Sequence, residues 1–307
     1  MTPRLLVTGG SGFLGRWIVW TARSKWDLTA TYLTRPAEGF ADWRRLDIRD
    51  RSAVLTLADE TRPAIIVHTA ALNPGQGGDF TGVNVEGSRN IAEAAALIDA
   101  QLIHISTDMI FDGQEGSYVE EDPPSPVTPY GCSKALAEDA VIDSGARSTI
   151  VRTSLIYGPS AERHGVSFRR ASWETWDRQT RWVIGDLKAG RPVRLFTDER
   201  RCPIRVESLA AALAELAERS LSEAVGLDLL HIAGGQALSR YAFGVRLARF
   251  HGANPSDITP ALSAESGLNR PLNCTLDCSR AVNYLRTPLP GVDLALHAPD
   301  PTPDATS

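Results

Sequence analysis

The chain has 307 residues, 43% of them hydrophobic and 22% charged, enough to bury a sizeable core as one large domain or two joined lobes. A net charge of -5 without a basic stripe argues against nucleic acid as the main partner, and no apolar run reaches membrane-spanning length. The four cysteines, Cys132, Cys202, Cys274 and Cys278, have no His or Cys partner at zinc-ligand spacing, so no metal is expected and reduced thiols in a cytosol are the plain reading. Met1-Thr2-Pro3-Arg4 leads at once into a strand-like run and leaves no room for a signal peptide, so a cytoplasmic location is expected.

In chain order, strands are predicted at 4–8, 28–33, 65–69, 102–106 and 149–156, and helices at 16–25, 52–61, 85–97 and 131–143. Short aliphatic runs alternating with helical periods predict an α/β fold, a doubly wound parallel sheet of the Rossmann kind. The alternation fades after Gly158-Pro159. A Trp- and Arg-rich stretch follows (Trp173, Trp176 and Trp182 with Arg169, Arg170, Arg178 and Arg181), then strand-like runs at 193–196 and 229–233. The expected division is a dinucleotide-binding domain at 1–158 with returning segments near 193–235, and a smaller, sequence-interleaved substrate lobe mainly at 159–298. Residues 299–307, rich in Pro, Asp and Thr, are expected to be a disordered tail.

The first strand runs into Gly9-Gly10-Ser11-Gly12-Phe13-Leu14-Gly15, which opens an amphipathic helix. A helix N-terminus offers free N–H groups and a positive dipole end to a pyrophosphate. Gly9 would permit the tight turn, Gly12 the phosphate contact and Gly15 close helix-to-strand packing. The second strand ends without an acidic side chain. Arg35 there, helped by Arg16, could pair with a 2′-phosphate, which favours NADP(H) over NAD; solvated surface arginines are the bland alternative. Farther on, Tyr130-Gly131-Cys132-Ser133-Lys134 places a phenol and an ammonium four residues apart on one helix face. The cation is expected to lower the phenol's pKa and make Tyr130 a usable proton donor near neutral pH.

Thr8 to Gly15, Leu46-Asp47-Ile48, His68-Thr69-Ala70-Ala71, Asn84-Val85-Glu86-Gly87, Ser106-Thr107-Asp108, Phe111-Asp112-Gly113 and the Tyr130–Lys134 segment together resemble an extended short-chain dehydrogenase/reductase. Ser-Thr-Asp followed by Phe-Asp-Gly draws the resemblance to the dTDP-4-dehydrorhamnose reductase branch of sugar-nucleotide reductases. The resemblance covers nearly the whole chain. It implies a catalytic set of Thr107, Tyr130 and Lys134, in which Tyr130 protonates the carbonyl oxygen as hydride arrives at carbon. It implies cofactor contacts at Ser11, Phe13, Leu14, Asp47, Ile48, Ala70, Ala71 and Tyr130 beside the glycines, with Lys134 bonding the nicotinamide ribose, and a substrate pocket near Asp108, Arg200, Arg201 and Arg270. Thr107 as a mere strand end, Asn84 as a helix N-cap and Cys132 as a packing residue are the plain readings of those positions.

Thr107-Asp108-Met109 lacks the Asp-Glu that sugar-nucleotide dehydratases carry, so dehydration is disfavoured. Trp173, Trp176 and Trp182 are spaced for a buried helix face or for stacking on a base. The acidic, Pro-rich segment 115–126 reads equally as a lid or a solvated loop. The expected activity is NADPH-dependent reduction of a keto group, first of all in a 4-keto-6-deoxy nucleotide sugar. Two alternatives stay open: a non-catalytic NADP-binding subunit like the regulatory subunit of methionine adenosyltransferase, and a nucleotide-sugar epimerase. A homodimer also stays open.

Overall fold

A computed structural model describes residues 2–37, 39, 41–161, 171–222 and 229–297. The first half runs β1 (Arg4–Thr8), α1 (Phe13–Ala22), β2 (Asp27–Tyr32), β3 (Asp42–Arg45), α2 (Arg51–Thr61), β4 (Ile65–His68), α3 (Gly87–Leu97), β5 (Gln101–Thr107), α4 (Pro129–Asp143) and β6 (Ser148–Thr153). The rest comprises β7 (Ile156–Tyr157), α5 (Arg178–Lys188), β8 (Val193–Phe196), β9 (Arg200–Arg201), β10 (Ile204–Arg205), α6 (Val206–Ser222), β11 (Leu229–His231), β12 (Leu238–Ser239), α7 (Arg240–Phe250), β13 (Ile258–Ala261), α8 (Ser279–Tyr284) and α9 (Val292–His297).

Seven strands form one parallel sheet in the order β11-β6-β5-β4-β1-β2-β3. Side chains alternate across a strand, and the core divides accordingly. Leu5, Val7, Ile65, Val67, Ile103 and Val151 join α1 and α6 on one face. Leu6, Ile66, Leu102 and Ile150 join α2, α3 and Val141 of α4 on the other. Both faces are thus covered, which is why these strands read as continuous aliphatic runs. A second core gathers α5, α7 and α9 around β8 and β13, with Trp176 and Tyr157 inside it.

Several boundaries differ from expectation. β3, Asp-Trp-Arg-Arg, has no aliphatic alternation and was not predicted; it forms by pairing in register with β2 at the sheet edge. The strand predicted at 149–156 breaks at Ser154-Leu155 into β6 and β7, and β7 pairs with β10 rather than with the main sheet. Within 193–235, β8 pairs in parallel with β13, because Val193 and Leu195 face the second core, whereas β11 joins the main sheet beside β6. The helix predicted from residue 85 begins with a π-helical turn, Thr81–Glu86. Residues 299–307, Arg169 and Arg170 lie outside the described residues. Among the described residues, no helix is long and apolar enough to cross a membrane.

Candidate active site

The sheet order reverses between β1 and β4, and the segments that leave their carboxyl ends meet there, at the crevice where such sheets bind ligands. Gly9 has φ +67°, and a Cβ on it would stand 2.7 Å from Ala70 Cα, so the loop after β1 lies directly on the chain leaving β4. A Cβ at Gly15 would stand 2.3 Å from the Gly9 carbonyl oxygen, so α1 starts against the same loop. Gly12, the N-cap of α1, offers no side-chain cap, which leaves the first-turn N–H groups of Phe13, Leu14 and Gly15 to an outside acceptor. Arg16 donates from Nε to the Ser11 carbonyl at 2.8 Å and stiffens this loop. These features fit a dinucleotide pyrophosphate.

Arg35 is exposed just beyond β2. Asp47 is gripped by Arg49, with Nη2 donating to Oδ2 at 2.6 Å, and that hydrogen bond holds its carboxyl below the usual range. Ile48 is buried, and its carbonyl accepts from Asn90 Nδ2 at 2.9 Å. Ala70 and Ala71 are half-buried beyond β4.

Thr107 is the last residue of β5 and is buried. Its hydroxyl caps a short 3-10 turn by accepting from the Met109 N–H at 3.2 Å, so the strand-end reading is true of it as well. Helix α4 begins against that turn. Thr128 caps it by accepting from the Gly131 N–H at 3.0 Å, Pro129 fills its first position, and Tyr130 follows. A Cβ at Gly131 would lie 2.1 Å from the Met109 carbonyl oxygen, so only glycine lets the helix come this close. The approach brings the Tyr130 phenol near the Thr107 hydroxyl, which donates to Asp108 Oδ1 at 3.3 Å. Phe80 lies edge-on to the Tyr130 ring at 6.0 Å.

Here the structure departs from expectation. The Tyr130 phenol is pushed up to about 12, first by burial, with the nearby Thr107 hydroxyl opposing and the Asp108 charge adding. The expected lowering by Lys134 is absent because the ammonium is engaged elsewhere: Nζ donates to the Ile105 carbonyl at 2.7 Å and lies 3.3 Å from His104 Nε2. Burial brings Lys134 itself down to about 8. At neutral pH the phenol therefore holds its proton, as a donor must.

Two plain readings also fail. Asn84 is no N-cap; it sits buried in the π-helical turn, accepting from the Leu72 N–H at 2.8 Å and donating to Ser133 Oγ at 2.9 Å. Cys132 is exposed rather than packed.

Opposite the glycine loop, the cleft wall is charged. Asp108 is buried, accepts from Ser154 Oγ at 2.6 Å and lies 3.6 Å from Arg201 Nε; burial raises its pKa against the pull of Arg201. Arg201 spends most of its donors on backbone, reaching the Arg200 carbonyl at 2.7 Å and the Leu272 and Pro271 carbonyls at 3.0 Å. Arg270 pairs with buried Glu199, while the Arg200 side chain is exposed. Arg240, which opens α7, was not picked out from the sequence. Burial, then the neighbouring charge of Arg201, brings its guanidinium down to about 10, with Glu199 opposing. Among the described residues its side chain has no hydrogen-bond partner. Arg201, Arg240 and Arg270 thus surround two carboxylates, Asp108 and Glu199, leaving an excess of positive charge.

The three tryptophans share no common face: Trp176 is 2% exposed, Trp182 is 49% exposed, and Trp173 packs over Gly185. The loop 115–126 is strapped at its start, where Tyr118 stacks on Phe111 at 4.1 Å and donates its N–H to the Thr275 carbonyl at 2.9 Å. Among the described residues, no group of three His, Cys, Asp or Glu side chains is placed to hold a metal ion.

Relatives and solved structures agree with this build. Rat methionine adenosyltransferase 2 subunit beta is 28% identical over 286 residues, covering 90% of this chain and 81% of that protein. The dTDP-4-dehydrorhamnose reductase of Streptomyces griseus is 31% identical over 292 residues, covering 91% of this chain and 86% of the enzyme. The Bacillus anthracis dTDP-4-dehydrorhamnose reductase, solved in complex with NADP, superposes with a TM-score of 0.78 at 25% identity, covering 96% of this chain and 98% of that one. The RmlD substrate binding domain model matches residues 3–298, so the chain belongs to that family and has the extended short-chain dehydrogenase/reductase build of an NAD(P)-dependent oxidoreductase.

Proposed function

We propose that the protein reduces a keto group of a nucleotide sugar, most directly a 4-keto-6-deoxy sugar, with NADPH as the hydride donor. The observation that carries this reading is the placement of Thr107, at the carboxyl end of β5, beside the Tyr130 phenol at the start of α4, in the cleft opened by the uncapped first turn of α1. When bound, the cofactor supplies the hydride. Thr107 holds the substrate carbonyl, Tyr130 gives its phenolic proton to the oxygen, and the Lys134 ammonium holds the nicotinamide ribose. The excess of arginine over carboxylate beyond Asp108 suits a substrate that carries phosphate. Arg35, exposed where an NAD-binding chain would place an acid, supports NADP.

The test is NADPH consumption by purified protein given enzymatically generated dTDP-4-keto-6-deoxy sugar, beside Tyr130→Phe. Turnover that collapses in the variant supports the reading; bound NADPH without turnover on this or other keto sugars counts against it. The likeness to methionine adenosyltransferase 2 subunit beta favours a second reading, a non-catalytic subunit that docks to an enzyme. That reading predicts cofactor binding with no turnover, and unchanged partner binding in Tyr130→Phe. A cytoplasmic location goes with either, and light scattering tests for a homodimer.

A further inference from the structure

His68 of β4 and His104 of β5 stand opposite each other in register beneath the cleft, their rings 5.3 Å apart and both fully buried. His68 is satisfied at both nitrogens, by Thr8 Oγ1 at 2.6 Å and Ser88 Oγ at 3.1 Å. His104 is not. Its Nε2 faces Lys134 Nζ at 3.3 Å, and its Nδ1 has no hydrogen-bond partner among the described residues.

The surroundings of Lys134 make this contact consequential. On α4, Tyr130 lies one turn back and Glu138 one turn on; β5 presents His104 to it and β4 His68. Glu138 is taken by Arg152 of β6, at 2.8 Å. Among the described residues, no carboxylate lies within ion-pair distance of Lys134. A buried ammonium without a counter-ion tends to discharge. What holds its proton here is one carbonyl, that of Ile105, and one imidazole nitrogen.

We propose that His104 is a positioning residue for Lys134: its unprotonated Nε2 accepts from the ammonium, keeping the buried lysine charged and directed along β5 beside the proton donor. For Nε2 to accept, the imidazole must be neutral with its proton on Nδ1, the nitrogen that has no hydrogen-bond partner among the described residues. The lysine thus dictates the tautomer. Burial and the Lys134 charge drive His104 far below the usual range while Lys134 stays near 8, so the neutral ring and the charged lysine coexist at neutral pH. The catalytic use of that charge rests on the reductase reading; the hydrogen bond and the charge state stand without it.

The chain has only three lysines, Lys25, Lys134 and Lys188. Protein labelled with carbon-13 at lysine Cε therefore gives three signals, and Lys134→Arg identifies the one of interest. In His104→Phe the Lys134 midpoint should fall by about one to two pH units, the worth of a hydrogen bond to a charged group. His104→Gln, which keeps an acceptor, should restore most of it. A midpoint unmoved in folded His104→Phe overturns the proposal. Should His104→Phe not fold, nitrogen-15 spectra of the wild-type imidazoles decide: a proton on His104 Nε2 overturns it, and one on Nδ1 supports it. In the turnover assay the basic limb of the pH profile should move down with the lysine midpoint. Wild-type protein that reduces no keto sugar sinks the reductase reading, while the lysine titration still decides the role of His104.

Discussion

The wall of the cleft formed by residues 9–15 and Ala70 presents backbone, whereas the wall formed by Asp108, Glu199, Arg201, Arg240 and Arg270 presents charged side chains. The first needs little beyond glycine at a few positions and strands in register, because N–H groups at a helix start bind any pyrophosphate. The second is assembled from the turn after β5, residues 199–201, the start of α7 and the 270–272 segment, and its selectivity lies in which charges remain after internal pairing. Substitutions on the backbone wall should therefore disturb cofactor binding and stability, and those on the charged wall should disturb substrate affinity.

The residue between the walls should give the largest effect. Tyr130→Phe removes the proton donor and should lower kcat by about 10²- to 10⁴-fold. Cofactor affinity should persist, as measured by calorimetry. A variant with near-normal turnover would place the proton donor elsewhere in the cleft. On the charged wall, Arg240→Ala should raise KM for a phosphate-bearing keto substrate about 10- to 100-fold, the range for a lost charge-assisted hydrogen bond, while kcat changes little. An uncharged ketone should be handled equally by both proteins. Equal losses on both substrates would show that Arg240 supports the fold around Asp108 instead of reading an anion.

On the backbone wall, Gly9→Ala forces a Cβ into the Ala70 backbone at a left-handed φ of +67°. The strain should cost about 2 kcal/mol, lowering Tm and weakening NADPH binding about tenfold, as a distorted phosphate loop would. Thermal melts and titration calorimetry separate the two losses. If the keto-substrate KM moved more than the cofactor Kd, the contrast between the walls would be wrong.

How far each wall was legible in the sequence follows from how local it is. The glycine loop, Thr107 and the Tyr130–Lys134 spacing lie within contiguous segments, and the two-faced sheet announces itself through aliphatic runs. Arg240 was invisible because its meaning comes from Arg201, some 40 residues earlier, and from Glu199 and Asp108. The orientation of Lys134 was missed for a related reason: helical spacing puts it near Tyr130, but the carbonyl of Ile105 and the ring of His104 decide where its charge goes. β3 escaped because a polar edge strand depends on its partner's hydrogen bonds and buries little. The same locality explains Asn84, whose amide closes on Leu72 and Ser133 across two segments.

The smallest effect should come from Arg35, at the solvent rim of the backbone wall. An exposed guanidinium facing a 2′-phosphate is screened by water and salt, so Arg35→Ala should weaken NADPH about fivefold and leave NADH unchanged. The difference should shrink as ionic strength rises, because the Debye length falls from about 10 Å at 0.1 M to about 3 Å at 1 M. Measuring both cofactors at two salt concentrations separates phosphate recognition from a general change in the loop after β2, which would weaken NADH and NADPH alike. A common loss would assign cofactor choice to Arg16, whose guanidinium already lies against the phosphate loop through the Ser11 carbonyl, and would make the backbone wall the reader of the extra phosphate as well as its cradle.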